Sequence, residues 1–347
     1  MRIFRPWLAL CIAALMAQRA WAGTPCSANV CEALDSCGCT ANASLQASEC
    51  LSDCQCDGCC PAWYVVGEGL FLQRDNGSRR QPVVLAGDSG DTLLDTADSH
   101  FDFEGGPRIL LGRRTGDCRA WEVSYFGTHF WESTVGIVDP NNLDIPGPLV
   151  GVADDFDNAN EMVLSYKSQL HNAEFNLVRD LCTWSLLAGF RYVNLDERYN
   201  INSTDSDGDV SDYTIRTSNN LFGFQLGGRL ERSSGRLGWE AVGKGGIFGN
   251  DAIQRQLVRD NDNTFVLRNA RDRSTVVSFV GDFNLTGKYA LNDCWSVRAG
   301  YFVMVVSGVA LAPDQLDFND DLDSGTNLAT GGDLFLHGAN LGLEARW

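Results

Sequence analysis

TVVSFVGDFNLTGKYALNDCWSVRAGYFVMV, residues 275–305, carries the pattern that decides the fold. Val277, Phe279, Phe283, Leu285 and Tyr289 alternate with Ser278, Asp282, Asn284, Thr286 and Lys288. A polar tetrad, Leu291-Asn292-Asp293-Cys294, interrupts the run. Trp295, Val297, Ala299, Tyr301, Val303 and Val305 then line one side, with Arg298 on the other. A period of two over this length means strands, each apolar on one face.

The same reading extends outward. Phe222, Phe224, Leu226 and Leu230 oppose Gln225, Arg229 and Glu231. Ala339, Leu341, Leu343, Ala345 and Trp347 oppose Asn340, Glu344 and Arg346. Three more polar turns precede an early Trp: Thr115-Gly116-Asp117-Cys118 before Trp121, Arg179-Asp180-Leu181-Cys182 before Trp184, and Ser233-Ser234-Gly235-Arg236 before Trp239. Longer acidic connections, near 74–99, 132–160, 200–212, 251–273 and 308–332, alternate with these short ones. About ten strands follow: 63–73, 100–113, 120–131, 161–179, 183–199, 213–232, 237–250, 274–290, 295–307 and 333–347. In 161–179 the apolar phase flips, from even Met162, Leu164 and Tyr166 to odd Ala173, Phe175 and Leu177. Either a bulge near Leu170-His171 restores it, or the upper half rises above the membrane.

A soluble β-sandwich also has period-two strands. Three features favour a barrel in a bilayer: strands longer than a sandwich needs, Trp recurring at one end of successive hairpins, and charges on nearly every inner face. The expected fold is all-β: a transmembrane antiparallel up-and-down β-barrel of about ten strands, within roughly eight to twelve. Trp121, Trp184, Trp239, Trp295 and Trp347 would form its aromatic girdle. With apolar faces turned to lipid, the lumen receives the acids Glu68, Glu104, Glu122, Glu174, Glu231, Glu240, Asp282 and Glu344. It also receives the bases Arg108, Lys167, Arg191, Arg229, Lys244, Lys288, Arg298 and Arg346. Eight against eight balance, so a small barrel would pair them into a network. A passive diffusion pore for small hydrophilic solutes or ions, with an acidic outer rim, is the leading functional expectation. A mostly occluded structural or adhesive envelope barrel, crosslinked through disulfides, is the alternative.

The remaining chain sets the compartment. Arg2 and Arg5, the apolar Trp7–Ala17 and Ala20-Trp21-Ala22 read as a cleaved signal peptide over 1–22, with Gly23 as the mature start. No other apolar run approaches the roughly 20 residues of a helical span. Residues 23–62 are Cys-rich and lack the apolar content for a core. Cys26, Cys31, Cys37, Cys39, Cys50, Cys54, Cys56, Cys59 and Cys60 crowd there, with Cys118, Cys182 and Cys294 farther on. Export favours disulfides over zinc, and the spacings fit no standard four-ligand site. A net charge of -18 repels phosphate backbones, so nucleic acid is an improbable partner.

Asp205-Ser-Asp207-Gly-Asp209, then Asp212, alternates hard oxygen ligands but lacks the glycine and glutamate of a calcium loop. Asn319, Asp320, Asp321 and Asp323 are equally ambiguous. No metal or cofactor site is expected. Among His100, His129, His171 and His337, only His100, near Asp98 and Asp102, suggests catalysis; a surface pair is the plainer account, and no enzyme is expected.

Finally, HNAEFNLVR (171–179), LLAGFRYVNLDE (186–197) and TSNNLFGFQLGG (217–228) resemble the planctomycete-type outer-membrane β-barrel porin family. WYVVGEGLF (63–71) and FEGGPR (103–108) are similar to its opening strands, so the resemblance spans 63–347. It implies a porin-like outer-membrane barrel with no catalytic residues to carry over. Trp347, with Leu343 and Leu341, is similar to the C-terminal signal read by the barrel-assembly machinery. Expected partners are that machinery, outer-membrane lipid and disulfide-linked envelope proteins. An even strand number would place both termini, the short turns and all twelve mature cysteines on the periplasmic side.

Overall fold

In a computed structural model of the chain, the described residues are 63–115, 118–181, 184–260 and 262–347, with the side chains of 128 and 129 set aside. The signal peptide, the Cys-rich segment and Cys182 lie outside them. Among the described residues no helix is long and apolar enough to cross a membrane. Twelve strands form one antiparallel sheet: β1 (Trp63–Arg74), β2 (Pro82–Ala86), β3 (Thr92–Asp95), β4 (Glu104–Arg114), β5 (Arg119–Asp144), β6 (Ala159–Leu181), β7 (Trp184–Thr204), β8 (Val210–Ser234), β9 (Leu237–Asp260), β10 (Phe265–Ala290), β11 (Trp295–Val309) and β12 (Gly332–Arg346).

Ten of these close a ring. β4 to β12 pair in succession, and β1 pairs with both β12 and β4. At the seam, Trp63 N donates to Trp347 O at 2.8 Å and Trp347 N to Trp63 O at 2.9 Å. The β2–β3 hairpin attaches to the upper end of β5.

The ten expected strands are all present and their lower ends fall where the short turns put them. Their upper ends do not. β5 to β10 run 21 to 26 residues, so the stretches near 132–160, 200–212 and 251–273 expected as loops are largely strand. β1, β4, β11 and β12 have 11 to 15 residues. One side of the barrel therefore stands about twice as tall as the other.

Of the two readings of 161–179, the bulge on that strand is absent. β6 pairs with β7 without a register break from Glu161 to Leu181, and its even residues point inward throughout. The phase never flips; the chemistry of the interior does. The bulge lies on the neighbouring β5, where Thr128 and Trp131 are consecutive partners of Leu170 and Ser168. It turns Trp131 inward, fully buried, with its indole N–H donating to Leu72 O at 3.0 Å.

In the lower half the outer surface is apolar. Phe224 is 77% exposed, Val277 76% and Ile247 70%, within a continuous band of Phe, Leu and Val. A soluble protein rarely shows so wide an apolar surface; a lipid-facing barrel requires it. Trp184, Trp239, Trp295 and Trp347 sit exposed along its lower edge. Trp121 joins them less exposed, packed edge-to-face on Trp63 at 5.6 Å. The upper edge carries Tyr125 with His171, Tyr192 with Asn220, and Tyr301 with His337, each pair at 2.8 Å. Aromatic residues with polar tips suit both membrane interfaces.

Candidate functional site

The site is the lumen, and it has two storeys. The lower one is ionic. Fourteen of the sixteen charges assigned to the lumen interlock here, seven acids against seven bases. Arg298 is its hub, with Nε 3.0 Å from Glu68, one terminal nitrogen 2.7 Å from Glu240 and the other 2.5 Å from Glu344. Arg108 completes the pairing of Glu68. Lys288 lies 2.9 Å from Glu231 and 2.8 Å from Glu240. Arg346 bridges Glu231 and Glu344. Arg229 holds Glu122 at 2.8 Å, and Glu122 also accepts the Tyr64 hydroxyl at 2.6 Å.

A second cluster sits one layer higher. Lys244 is 2.7 Å from Glu174, and Arg191 is 2.5 Å from Asp282. Gln225 Nε2 donates to Glu174 at 2.9 Å and Arg191 Nε to Asn172 at 2.5 Å. Arg191 is fully buried, so the low local dielectric makes each of these bonds strong and each broken one costly.

Two expected lumen charges are placed otherwise. Lys167 is on the outer face, 2.5 Å from Glu132, because odd positions of β6 point outward. Glu104 is in register with the inward Leu72 at the upper start of β4, yet half-exposed and outside the network.

The upper storey was not legible as a site. At the upper end of β11, Gly308 takes φ +81° as a bulge between Ser307 and Val309, and the chain leaves the wall for the lumen one residue later. A Cβ there would lie 2.9 Å from Val277 O, so only glycine fits. Residues 310–331 then form a strap across the lumen. Leu311 and Ala312 are fully buried in one apolar cluster with Leu164, Tyr166, Leu195 and Tyr199 of the tall wall, Val83 of β2 and Phe101.

Wall side chains stitch the strap through its backbone. Asn219 Nδ2 donates to Ala310 O and its Oδ1 accepts from Ala310 N, both at 2.8 Å. Ala312 N donates to Glu197 at 2.8 Å, and Glu197 is itself held by Arg74 at 2.5 Å. Gln256 donates to Gln315 O at 2.6 Å and Arg268 to the carbonyls of Asp317 and Asn319. No spacing rule connects Asn219, Glu197, Gln256 and Arg268. The one sequence signal is polar residues where the alternation calls for inward positions.

Within the ionic storey, below Phe126 and Phe302, lies a cavity of about 80 Å³ lined by Glu68, Arg108, Glu122, Glu174, Arg229 and Lys244 among others. That is room for several waters.

Elsewhere, Asp155, Asp205 and Asp209 bring carboxylate oxygens within 4.8 Å of one another. Asp262 and these neighbours push the Asp209 carboxyl above its ordinary range. The Asp205 carboxylate accepts from the Asp207 and Asp209 amides, both at 2.9 Å, as a self-closed acidic turn does. His100 is exposed, and its neighbour Asp98 is spent on a helix cap, accepting from Asp95 N at 2.8 Å. Cys118 and Cys294 sit on turns at the Trp-lined end, and neither stands free.

Residues 72–347 match the family described as Putative beta barrel porin-7 (BBP7). The chain belongs to that family. Its match covers nine of the ten ring strands in full and the last three residues of β1. Among solved structures, the chain is similar to the outer membrane protease OmpT from Escherichia coli, with 11% identity, 82% of this chain and 97% of that one covered, and a TM-score of 0.41. It is also similar to the translocator domain of the autotransporter NalP from Neisseria meningitidis, with 10% identity, 86% and 92% covered, and a TM-score of 0.40. A third is a major outer membrane protein from Thermus thermophilus, at 11% identity, 82% and 99% covered, TM-score 0.30. No curated protein matches. Family and fold are those of an outer-membrane β-barrel.

Proposed function

We propose that this porin-family barrel rests closed and serves the envelope first as a structural barrel, with passage through the lumen gated by the 310–331 strap. The observation that carries this is the strap itself, buried in the upper lumen and held through its backbone by Asn219, Glu197, Gln256 and Arg268. A hydrated ion needs a continuous polar path, and here apolar packing seals one storey while paired charges fill the other.

Passive diffusion of small hydrophilic solutes or ions is the second reading. Family membership and the charged lower lumen favour it, and it requires the strap to leave. Passage would then be cation-preferring, set by the acidic loops. Planar-bilayer recording separates the two. The closed reading expects rare openings from the wild type and frequent ones once 311–330 is replaced by a short Gly-Ser linker. Steady conductance by the wild type would overturn it.

A second element of the proposal concerns the cysteines. Segment 23–62 enters the barrel at Trp63, the end where Cys118 and Cys294 lie. Disulfides from that segment to these turns, or to neighbouring envelope proteins, would anchor the barrel. Non-reducing electrophoresis of the mature protein tests this: identical migration with and without reductant, together with twelve free thiols by mass, would dismiss it.

A further inference from the structure

The outer face of the tall wall carries a row of cations that no interior role explains. Lys167 is the register partner of Arg198, Arg198 of Arg216, Arg216 of Arg255, and Arg255 of Arg271. Five adjacent strands thus place five positive side chains directly opposite one another, all exposed. With strands about 4.8 Å apart, the row is roughly 19 Å long. Like charges directly opposed destabilise a sheet, and 4.8 Å is well inside the screening length of physiological salt.

Acids on the same wall form no ion pairs with the row's four arginines. Lys167 has Glu132 at 2.5 Å, but among the described residues none of Arg198, Arg216, Arg255 and Arg271 has an ion-pair partner. Asp196 accepts from Asn194, Asp212 from Asn200 and Asn202, and Asp251 is taken by Arg273.

Height identifies the occupant. Arg198 is six residues above the outward Tyr192 on β7, and Arg216 six above the outward Phe222 on β8. Six residues span about 20 Å of strand, or roughly 15 Å along the membrane normal at the usual tilt. That level is beyond acyl chains, among the sugars of a surface glycolipid.

We infer that this ladder binds the phosphate-bearing saccharide of an outer-leaflet glycolipid lying against the tall wall. A soluble polyanion would meet a protein of net charge -18 and be repelled at a distance. A lipid is already held beside the wall by its acyl chains, so only the local row acts on it. The inference rests on the membrane-barrel reading, with the tall end outward.

The test reconstitutes the full-length protein in vesicles of neutral phospholipid with added lipopolysaccharide, intact or enzymatically dephosphorylated. Wild type should bind the intact form and melt at a higher temperature with it. The triple variant Arg198→Gln, Arg216→Gln, Arg255→Gln should bind on the order of a hundredfold more weakly. The corresponding triple Lys variant should retain most of the binding. In neutral lipid alone, the Gln variant should be at least as stable as wild type, since it has shed opposed like charges. Binding by the Gln variant within about twofold of wild type, equal binding of the dephosphorylated form, or equally tight binding of inorganic polyphosphate would each overturn the assignment. Failure of the wild type to enter vesicles would overturn the barrel reading as well, which none of the other results does.

Discussion

The lower and upper halves of this barrel share strands, alternation and register, yet their chemistry is inverted. Below, the outside is apolar and the inside charged. Above, the outside carries Arg198, Asn200, Asp212, Arg216 and Arg255, while the inside is Leu164, Leu195, Ile215, Val280 and Leu334. The exchange occurs at one level around the ring. Eight of the ten ring strands pass from polar to apolar on the inner face within a few residues: Glu68 to Leu70, Asn172 to Leu170, Arg191 to Val193, Gln225 to Leu221, Lys244 to Phe248, Asp282 to Val280, Arg298 to Phe302 and Asn340 to Leu336. Solvent explains it. Where lipid surrounds the wall, apolar side chains gain nothing by turning inward and polar ones must. Where water surrounds it, the same sheet folds as a soluble protein does, burying its apolar face under a strap.

The sharpest break of this comparison is in the ionic storey. Arg298→Leu removes one guanidinium from three carboxylates, Glu68, Glu240 and Glu344, that stay buried in a network one positive charge short. Losing one side of a buried pair costs about 3–5 kcal/mol. Urea unfolding in lipid vesicles should show that loss, and a change under 1 kcal/mol would mean that water enters the lower lumen freely.

Next comes the outer band. Phe224→Arg puts a cation in the lipid-facing surface and should cost about 2–4 kcal/mol. Arg216→Phe, on the same face of the same strand but in the water-facing half, should change stability by less than about 0.5 kcal/mol. Similar costs for both would erase the boundary drawn here.

This boundary also explains what could be read in advance. The lower ends of the strands were legible because a clean apolar exterior, a polar interior and a Trp after each short turn coincide there. The upper extensions were not. In 251–260 the outward Asp251, Arg255 and Arg259 and the inward Gln254 and Gln256 leave little apolar contrast between the faces, so the stretch resembles a loop. Treating apolar residues as lipid-facing everywhere made the phase of 161–179 look broken and sent Lys167 inward. Fourteen of the charges read as inward nevertheless meet in one ionic network, because within the band one alternation rule holds along the strands that carry them. The strap and the cation ladder depend on register between distant strands, which no single segment displays.

A smaller effect is expected at the hinge. Gly308→Ala forces a side chain into a left-handed backbone beside Val277 O, costing about 1–2 kcal/mol. Because the strap begins there, the loss should fall on the upper storey alone. Hydrogen exchange should quicken over 310–331 while the lower strands keep their protection. Equal quickening in both halves would show that they unfold as one unit.

The least effect, and the most local, is acid release of the strap. Burial disfavours the charged form of Asp317, but its carboxylate accepts from Gly325 N at 2.8 Å and from Asn319 N and Nδ2 at 3.1 and 2.8 Å. These bonds outweigh burial and hold the group below its ordinary value. A folded pKa below the unfolded one contributes stability that is present above the unfolded value, about 3.9, and is lost as pH falls through the folded value. Asp314 has the opposite sign. Burial pushes it up against the opposing Arg79 amide, so its protonated form suits the fold and its effect favours closure as pH falls. The strap should therefore stay latched from pH 7 to 5 and loosen only below about 4. Opening frequency in bilayers checks this. Asp317→Asn should open more often already at pH 7 and respond little to further acid. If wild-type opening climbed between pH 7 and 5, these two carboxylates would not be the groups that hold the strap.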